Sequence, residues 1–149
     1  MSISILATAI AFAAAKHVDQ ADKGGNAYIL HPLRMMMRLR TSDEELMAIC
    51  VLHDVVEDCK VSFGDLRAIG MTERVISGVR ALTRQSGETY EEFIERLAFN
   101  RDALLVKRED LRDNSDLTRL KGVTEKDVAR MQRYMLAFKR VEALLAEEH

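Results

Sequence analysis

The chain has 149 residues, enough for one domain and short for two. Apolar residues make up 48% and charged residues 31%, with one proline and seven glycines; this excludes disordered, collagen-like and low-complexity chains and favours helix. The 22 basic and 24 acidic residues leave a net charge of −2, so the overall electrostatics give no reason to expect nucleic acid or a membrane surface as partner.

Ile3 to Ala15 is a mostly apolar run about as long as a signal-peptide core. No basic segment precedes it, and it is too short to span a bilayer. The expectation is a buried, alanine-rich first helix from about Ile3 to Gln20. Lys23, Gly24, Gly25 and Asn26 read as a loop. Pro32 suits the first position of a second helix, Leu33 to Leu39, with His31 as the capping residue just outside it. Met35, Met36 and Met37 are expected to pack, and Arg34 and Arg38 to form a solvated face. Thr41, Ser42 and Asp43, followed by Glu44 and Glu45, mark the start of a third helix. That helix is expected to carry Leu46, Ile49, Cys50, Leu52, His53 and Val56 without a break.

Gly64 and Gly70 bracket a short helical piece, and Thr72 opens a helix through Leu82. Two further helices are expected near Tyr90 to Phe99 and Ala103 to Leu117. The last runs from Thr124 to about Ala146, with Val128, Met131, Met135, Phe138 and Val141 at helical spacing. No segment alternates convincingly as a strand. Cys50 and Cys59 make no disulfide framework; as free thiols they fit a reducing cytoplasm, which is the expected location.

The sharpest chemical feature is His53-Asp54-Val55-Val56-Glu57-Asp58. An adjacent imidazole and carboxylate are a usual ligand mixture for a divalent transition metal. On a continuous helix, Glu57 would share a face with His53 and Asp54. Three acids and a histidine at the end of an apolar run are costly unless paired or metal-bound. The alternative is an exposed helix C-terminus, where acids oppose the dipole. Elsewhere, Val106, Asp110, Asn114 and Leu117 form one helical stripe that either looks into a site or belongs to a solvated charged face. His31 by itself reads as a surface cap, His17 as a structural histidine, and Lys23 as an exposed loop lysine within reach of an anion. Ser86 and the cysteines lack a base partner.

Taken together, these segments resemble the HD-domain hydrolase half of RelA/SpoT-type alarmone enzymes and the stand-alone small alarmone hydrolases. The resemblance rests on Lys16-His17 with Gln20, Lys23, and Tyr28 to Pro32. It continues through Leu52 to Asp58, Leu82-Thr83 with Glu88 and Tyr90, and Val106-Lys107 with Asp110 and Asn114. It spans roughly residues 5 to 120.

The resemblance implies an all-α fold, a single HD-type helical bundle over residues 1–149, and one divalent metal, usually manganese. His31, His53, Asp54 and Asp110 fall on the ligand positions. Glu57 and Asp58 match the acidic pair that positions or activates the attacking water. Lys23 matches a basic residue beside the substrate phosphates, Asn114 a residue near metal and ribose, and His17 a supporting position that is not a ligand. The expected partner is a small nucleotide, (p)ppGpp or (p)ppApp, whose 3′-pyrophosphate is removed; no synthetase portion is expected.

Two departures stand out. The family usually has a basic pair where this chain has Asp22-Lys23, and the missing arginine often lies against the purine. Asp22 is therefore expected to tune the choice of base, the alternative being that it faces solvent in a flexible loop. Arg108-Glu109 replaces the usual Leu-Ala and adds charge beside Asp110. The competing functions are an HD phosphatase acting on another nucleotide such as NADPH and a non-catalytic nucleotide-binding HD module.

Overall fold

The computed structural model describes residues 2–147. Its helices are α1 (Ile5–Lys16), α2 (Leu30–Arg38), α3 (Glu44–Leu52), α4 (Val55–Asp58), α5 (Phe63–Ala68), α6 (Glu73–Leu82), α7 (Tyr90–Arg96), α8 (Arg101–Asn114) and α9 (Glu125–Ala146). Single 3-10 turns lie at Leu97–Phe99 and Leu117–Arg119. Among the described residues there is no β-strand; one isolated antiparallel bridge, Ala21 to Ala27, closes the loop between α1 and α2. The fold is all-helical, as the sequence predicts.

Helix α3 is the axis of the protein. Ala48, Ile49, Cys50, Val51 and Leu52 are all fully buried, the signature of a helix surrounded by others. It packs against α1, α2, α6 and α8, and α8 packs in turn on α9. Contact with α6 is close because Gly78 has no side chain there. A Cβ at Gly78 would lie 2.5 Å from Ile49 Cδ1.

The helix starts follow local capping chemistry. Asp43 accepts from the Leu46 amide at the head of α3, and Thr72 from the Val75 amide at the head of α6. Thr89 and Thr124 form capping boxes with Glu92 and Asp127.

Several boundaries and faces differ from the sequence reading. Helix α1 ends at Lys16 rather than near Gln20, because His17 is drawn inward and is buried. Helix α2 starts at Leu30, so Pro32 is its third residue and His31 lies inside its first turn instead of capping it. Proline is tolerated there because first-turn amides have no helical acceptor. Met37 is exposed while Met35 and Met36 pack, since three consecutive residues cannot share one helix face. Helix α8 stops at Asn114, leaving Leu117 in a partly exposed 3-10 turn. On α9 the buried apolar residues are Ala137, Val141 and Leu144, whereas Val128 and Met135 face solvent.

Candidate active site

The first imidazole comes from α2. His31 is buried, with Nε2 3.0 Å from Asp110 Oδ1 and Nδ1 2.6 Å from Asp113 Oδ2. Both carboxylates stand on α8, one turn apart by their i, i+3 spacing. The surface cap expected of His31 from its sequence position alone is therefore corrected.

The second imidazole sits where α3 stops. His53 Nδ1 donates to the Cys50 carbonyl at 2.8 Å, taking an acceptor near the helix end. The chain turns at His53 and Asp54 before α4 begins, so the expected unbroken helix is in fact two. With Nδ1 committed, Nε2 is the atom offered to the interior. It lies 3.0 Å from Asp54 Oδ2 and 3.7 Å from Asp110 Oδ1, yet it is buried without a hydrogen-bond partner.

Ligand atoms of His31, His53 and Asp54 lie within 4.8 Å of one another. Asp110 Oδ1 approaches both imidazoles, and the two rings are 5.5 Å apart. Further donors orient the acids. The Tyr28 hydroxyl donates to Asp54, Lys107 Nζ to Asp110 Oδ2 at 2.8 Å, and Asn114 Nδ2 to Asp110 Oδ1 at 2.9 Å.

The local field is strongly negative. Burial disfavours charged imidazoles, yet Asp54 and Asp110 prevail and raise the pKa of His53 well above its ordinary value. At His31, burial is likewise outweighed by Asp110 and Asp113, and the pKa rises. Burial would raise the Asp110 carboxyl, but Lys107 and the histidines hold it well below the usual range. Two imidazoles, two ionised carboxylates and an orphaned ring nitrogen form a donor set that suits one divalent cation. The residues present fit the metal that the resemblance implies.

The acidic pair lies outside this cluster. Glu57 and Asp58 are exposed; Glu57 accepts from the Arg84 amide, and Asp58 Oδ2 from Gln20 Nε2 at 3.2 Å. Because α3 and α4 are separate, the common helix face expected for His53, Asp54 and Glu57 does not form. His17 is not among the clustered ligands. Its ring lies 4.7 Å from that of Tyr28, so it backs the residue that contacts Asp54.

Beside the cluster is a cleft of about 240 Å³ whose walls include Lys23, Tyr28, His31, Asn114, Arg119 and Arg130. Partial burial and repulsion from Arg130 and Arg133 lower the Lys23 pKa, a sign of gathered positive charge. Asp22 also borders the cleft, and its carboxylate is not in a free, solvent-facing loop. Oδ1 accepts from the amides of Gly24 and Asn26, both at 2.9 Å, and Oδ2 lies 3.3 Å from Arg119 Nη2. Gly24 allows this loop to settle on the Arg119 carbonyl, which a Cβ would strike. The charge of Glu109 is compensated locally, with Arg112 at 2.9 Å and Arg108 at 3.4 Å.

Asp113 has no counterpart in the sequence reading. It is fully buried and bound by Arg34 and Arg38, whose expected solvated face holds for the exposed Arg38 and in part for Arg34, and by Arg119. The available signal was the i, i+4 spacing of Arg34 and Arg38 together with a third acid on α8. Nothing local to either segment joins the two.

No protein-family model matches the chain. It is 30% identical over 113 residues to the guanosine-3′,5′-bis(diphosphate) 3′-pyrophosphohydrolase of Aquifex aeolicus, covering 69% of this chain and 16% of that protein. It is 35% identical over 86 residues to the Danio rerio enzyme of the same activity, MESH1, covering 52% of this chain and 48% of that protein. The chain thus spans less than half the length of either relative. A solved metazoan ortholog of SpoT that hydrolyses ppGpp superimposes with a TM-score of 0.79 at 27% identity, covering 99% of this chain and 88% of that one. In both sequence and helical fold, the chain is similar to ppGpp hydrolases of the RelA/SpoT type.

Proposed function

We propose that residues 1–149 act as one hydrolase domain that removes the 3′-pyrophosphate of a purine alarmone, (p)ppGpp or (p)ppApp. The observation that carries this reading is the meeting of His31, His53, Asp54 and Asp110 beside a cleft bordered by Lys23, Arg119 and Arg130. His31, His53, Asp54 and Asp110 would hold one divalent ion, manganese by family resemblance. Such an ion polarises a phosphoryl oxygen and lowers the pKa of water toward neutrality.

The remaining work falls to side chains of this chain. Lys23 pairs with substrate phosphate, and Asn114, fixed on Asp110, faces the ribose. Asp22 influences the purine through the loop it shapes. Glu57 and Asp58 position the attacking water and take its proton. Water adds to phosphorus, the bond to the 3′-oxygen breaks, and the proton taken from water passes to that oxygen, so pyrophosphate leaves a free 3′-hydroxyl. No described helix is long and apolar enough to cross a membrane, and the free thiols of Cys50 and Cys59 support a reducing, cytoplasmic setting.

A product-resolved assay with ppGpp, ppApp and NADPH, each with manganese, tests the proposal. Pyrophosphate release from either alarmone is expected. Orthophosphate from NADPH alone would assign a different phosphatase, and binding without turnover a non-catalytic module.

A further inference from the structure

We propose that Asp113 is a positioning residue that fixes the ring of His31 with Nε2 turned toward the metal ligands, an inference that rests on the reading of His31 as a ligand. Asp113 Oδ2 lies 2.6 Å from His31 Nδ1, while His31 Nε2 meets Asp110 Oδ1 at 3.0 Å. The two ring nitrogens therefore have separate partners.

The carboxylate of Asp113 is wholly buried, which is costly unless it is paired. Three guanidiniums supply the pairing. Arg34 Nε reaches Oδ1 at 2.9 Å and Arg34 Nη2 reaches Oδ2 at 3.1 Å. Arg38 Nη1 lies 3.1 Å from Oδ1, and Arg119 Nη1 2.8 Å from Oδ2. Guanidiniums can only donate, so both carboxylate oxygens of Asp113 serve as acceptors. An ionised carboxylate only accepts, so Nδ1 must carry the proton and donate. With Nδ1 committed to Asp113, Nε2 is the nitrogen whose lone pair would face a metal once the ion replaces the proton shared with Asp110. A carboxylate behind a ligating histidine fixes both tautomer and orientation.

The restraint reaches the cleft through Arg119. The same guanidinium that binds Asp113 lies 3.3 Å from Asp22 Oδ2, at the base of the loop carrying Lys23. Arg119 also donates to the Asp113 carbonyl at 2.6 Å, so backbone and side chain are held together.

Asp113→Asn is the discriminating change. Facing arginines, its amide oxygen is drawn to them and its NH₂ is left for Nδ1, which favours the wrong tautomer. Manganese alone is titrated into metal-free wild type, Asp113→Asn and an Ile76→Ala control, well below their unfolding temperatures. Ile76 is buried on α6 and takes no part in the site, so its truncation costs stability only. Asp113→Asn should lose roughly 10–100-fold in metal affinity while the control keeps the wild-type value. Equal affinity in wild type and Asp113→Asn overturns the inference. A wild type that takes up no manganese overturns instead the ligand reading beneath it. If Asp113→Asn does not fold, metal-free wild type labelled with ¹⁵N-histidine decides. A far-downfield, exchange-protected Nδ1 proton that vanishes in His31→Gln is expected, and its absence from wild type overturns the inference.

Discussion

His53 turns back on its own helix: Nδ1 lies 2.8 Å from the carbonyl oxygen of Cys50, and α3 ends there. One hydrogen bond stops the helix, selects the ring nitrogen that faces inward, and leaves Asp54 beside it. His53→Ala should reduce bound divalent metal from one per chain to none detectable. Elemental analysis after dialysis, compared with wild type, checks this, and equal metal content would remove His53 from the ligand set.

Glu57→Gln should keep the metal and the melting temperature, because the side chain is exposed and nearly isosteric with glutamine. Turnover should fall by about 10²–10⁴-fold, the usual worth of a positioned general base. The loss should appear in kcat. A wild-type kcat would confine Glu57 to its contact with the Arg84 amide.

Lys23→Ala should act on binding. Lys23 is exposed at the cleft wall, and a charge-assisted phosphate contact is worth about 1.5–3 kcal/mol. KM should rise by roughly 10–100-fold with kcat little changed, since such a contact is made equally in ground and transition states. Steady-state kinetics on the alarmone that is turned over separates the two constants.

Gly24→Ala should displace the loop from the 3-10 turn, because the added methyl meets the Arg119 carbonyl. Overpacking of this kind costs typically about 1–3 kcal/mol. A lower melting temperature together with a raised KM is expected. An unchanged KM would show that substrate does not sense this loop.

Acid stability should respond to Asp43. Its hydrogen bond from Arg74 prevails over burial and lowers the carboxyl below its ordinary value. A carboxyl lowered in the folded state adds stability above its unfolded pKa and loses it as pH falls through the folded one. Asp43→Asn keeps a good cap but removes the charge. Its melting temperature should lie below wild type at neutral pH, and the gap should close in acid. Side chains this exposed make the effect small.

The sequence by itself determined the helical class and the starts of α3, α6, α7 and α9. Asp43, Thr72 and Thr124 cap their helices through local hydrogen bonds that the sequence encodes within three residues. His53-Asp54 marked the segment that clusters with His31, because adjacent imidazole and carboxylate are rarely left unpaired in an apolar setting. Tertiary structure alone decided what these residues meet. His31 and Asp110 are separated by 79 positions yet touch because α2 and α8 both pack on α3. Arg34 and Arg38 keep a partly solvated face, and only the approach of α8 shows that their guanidiniums also close on a buried carboxylate. The α3–α4 break was hidden as well, since a side chain claimed a carbonyl near the helix end and periodicity does not record that competition. Local pattern reports what each segment can form; packing fixes which charges end up buried together, and here that packing assembles the site.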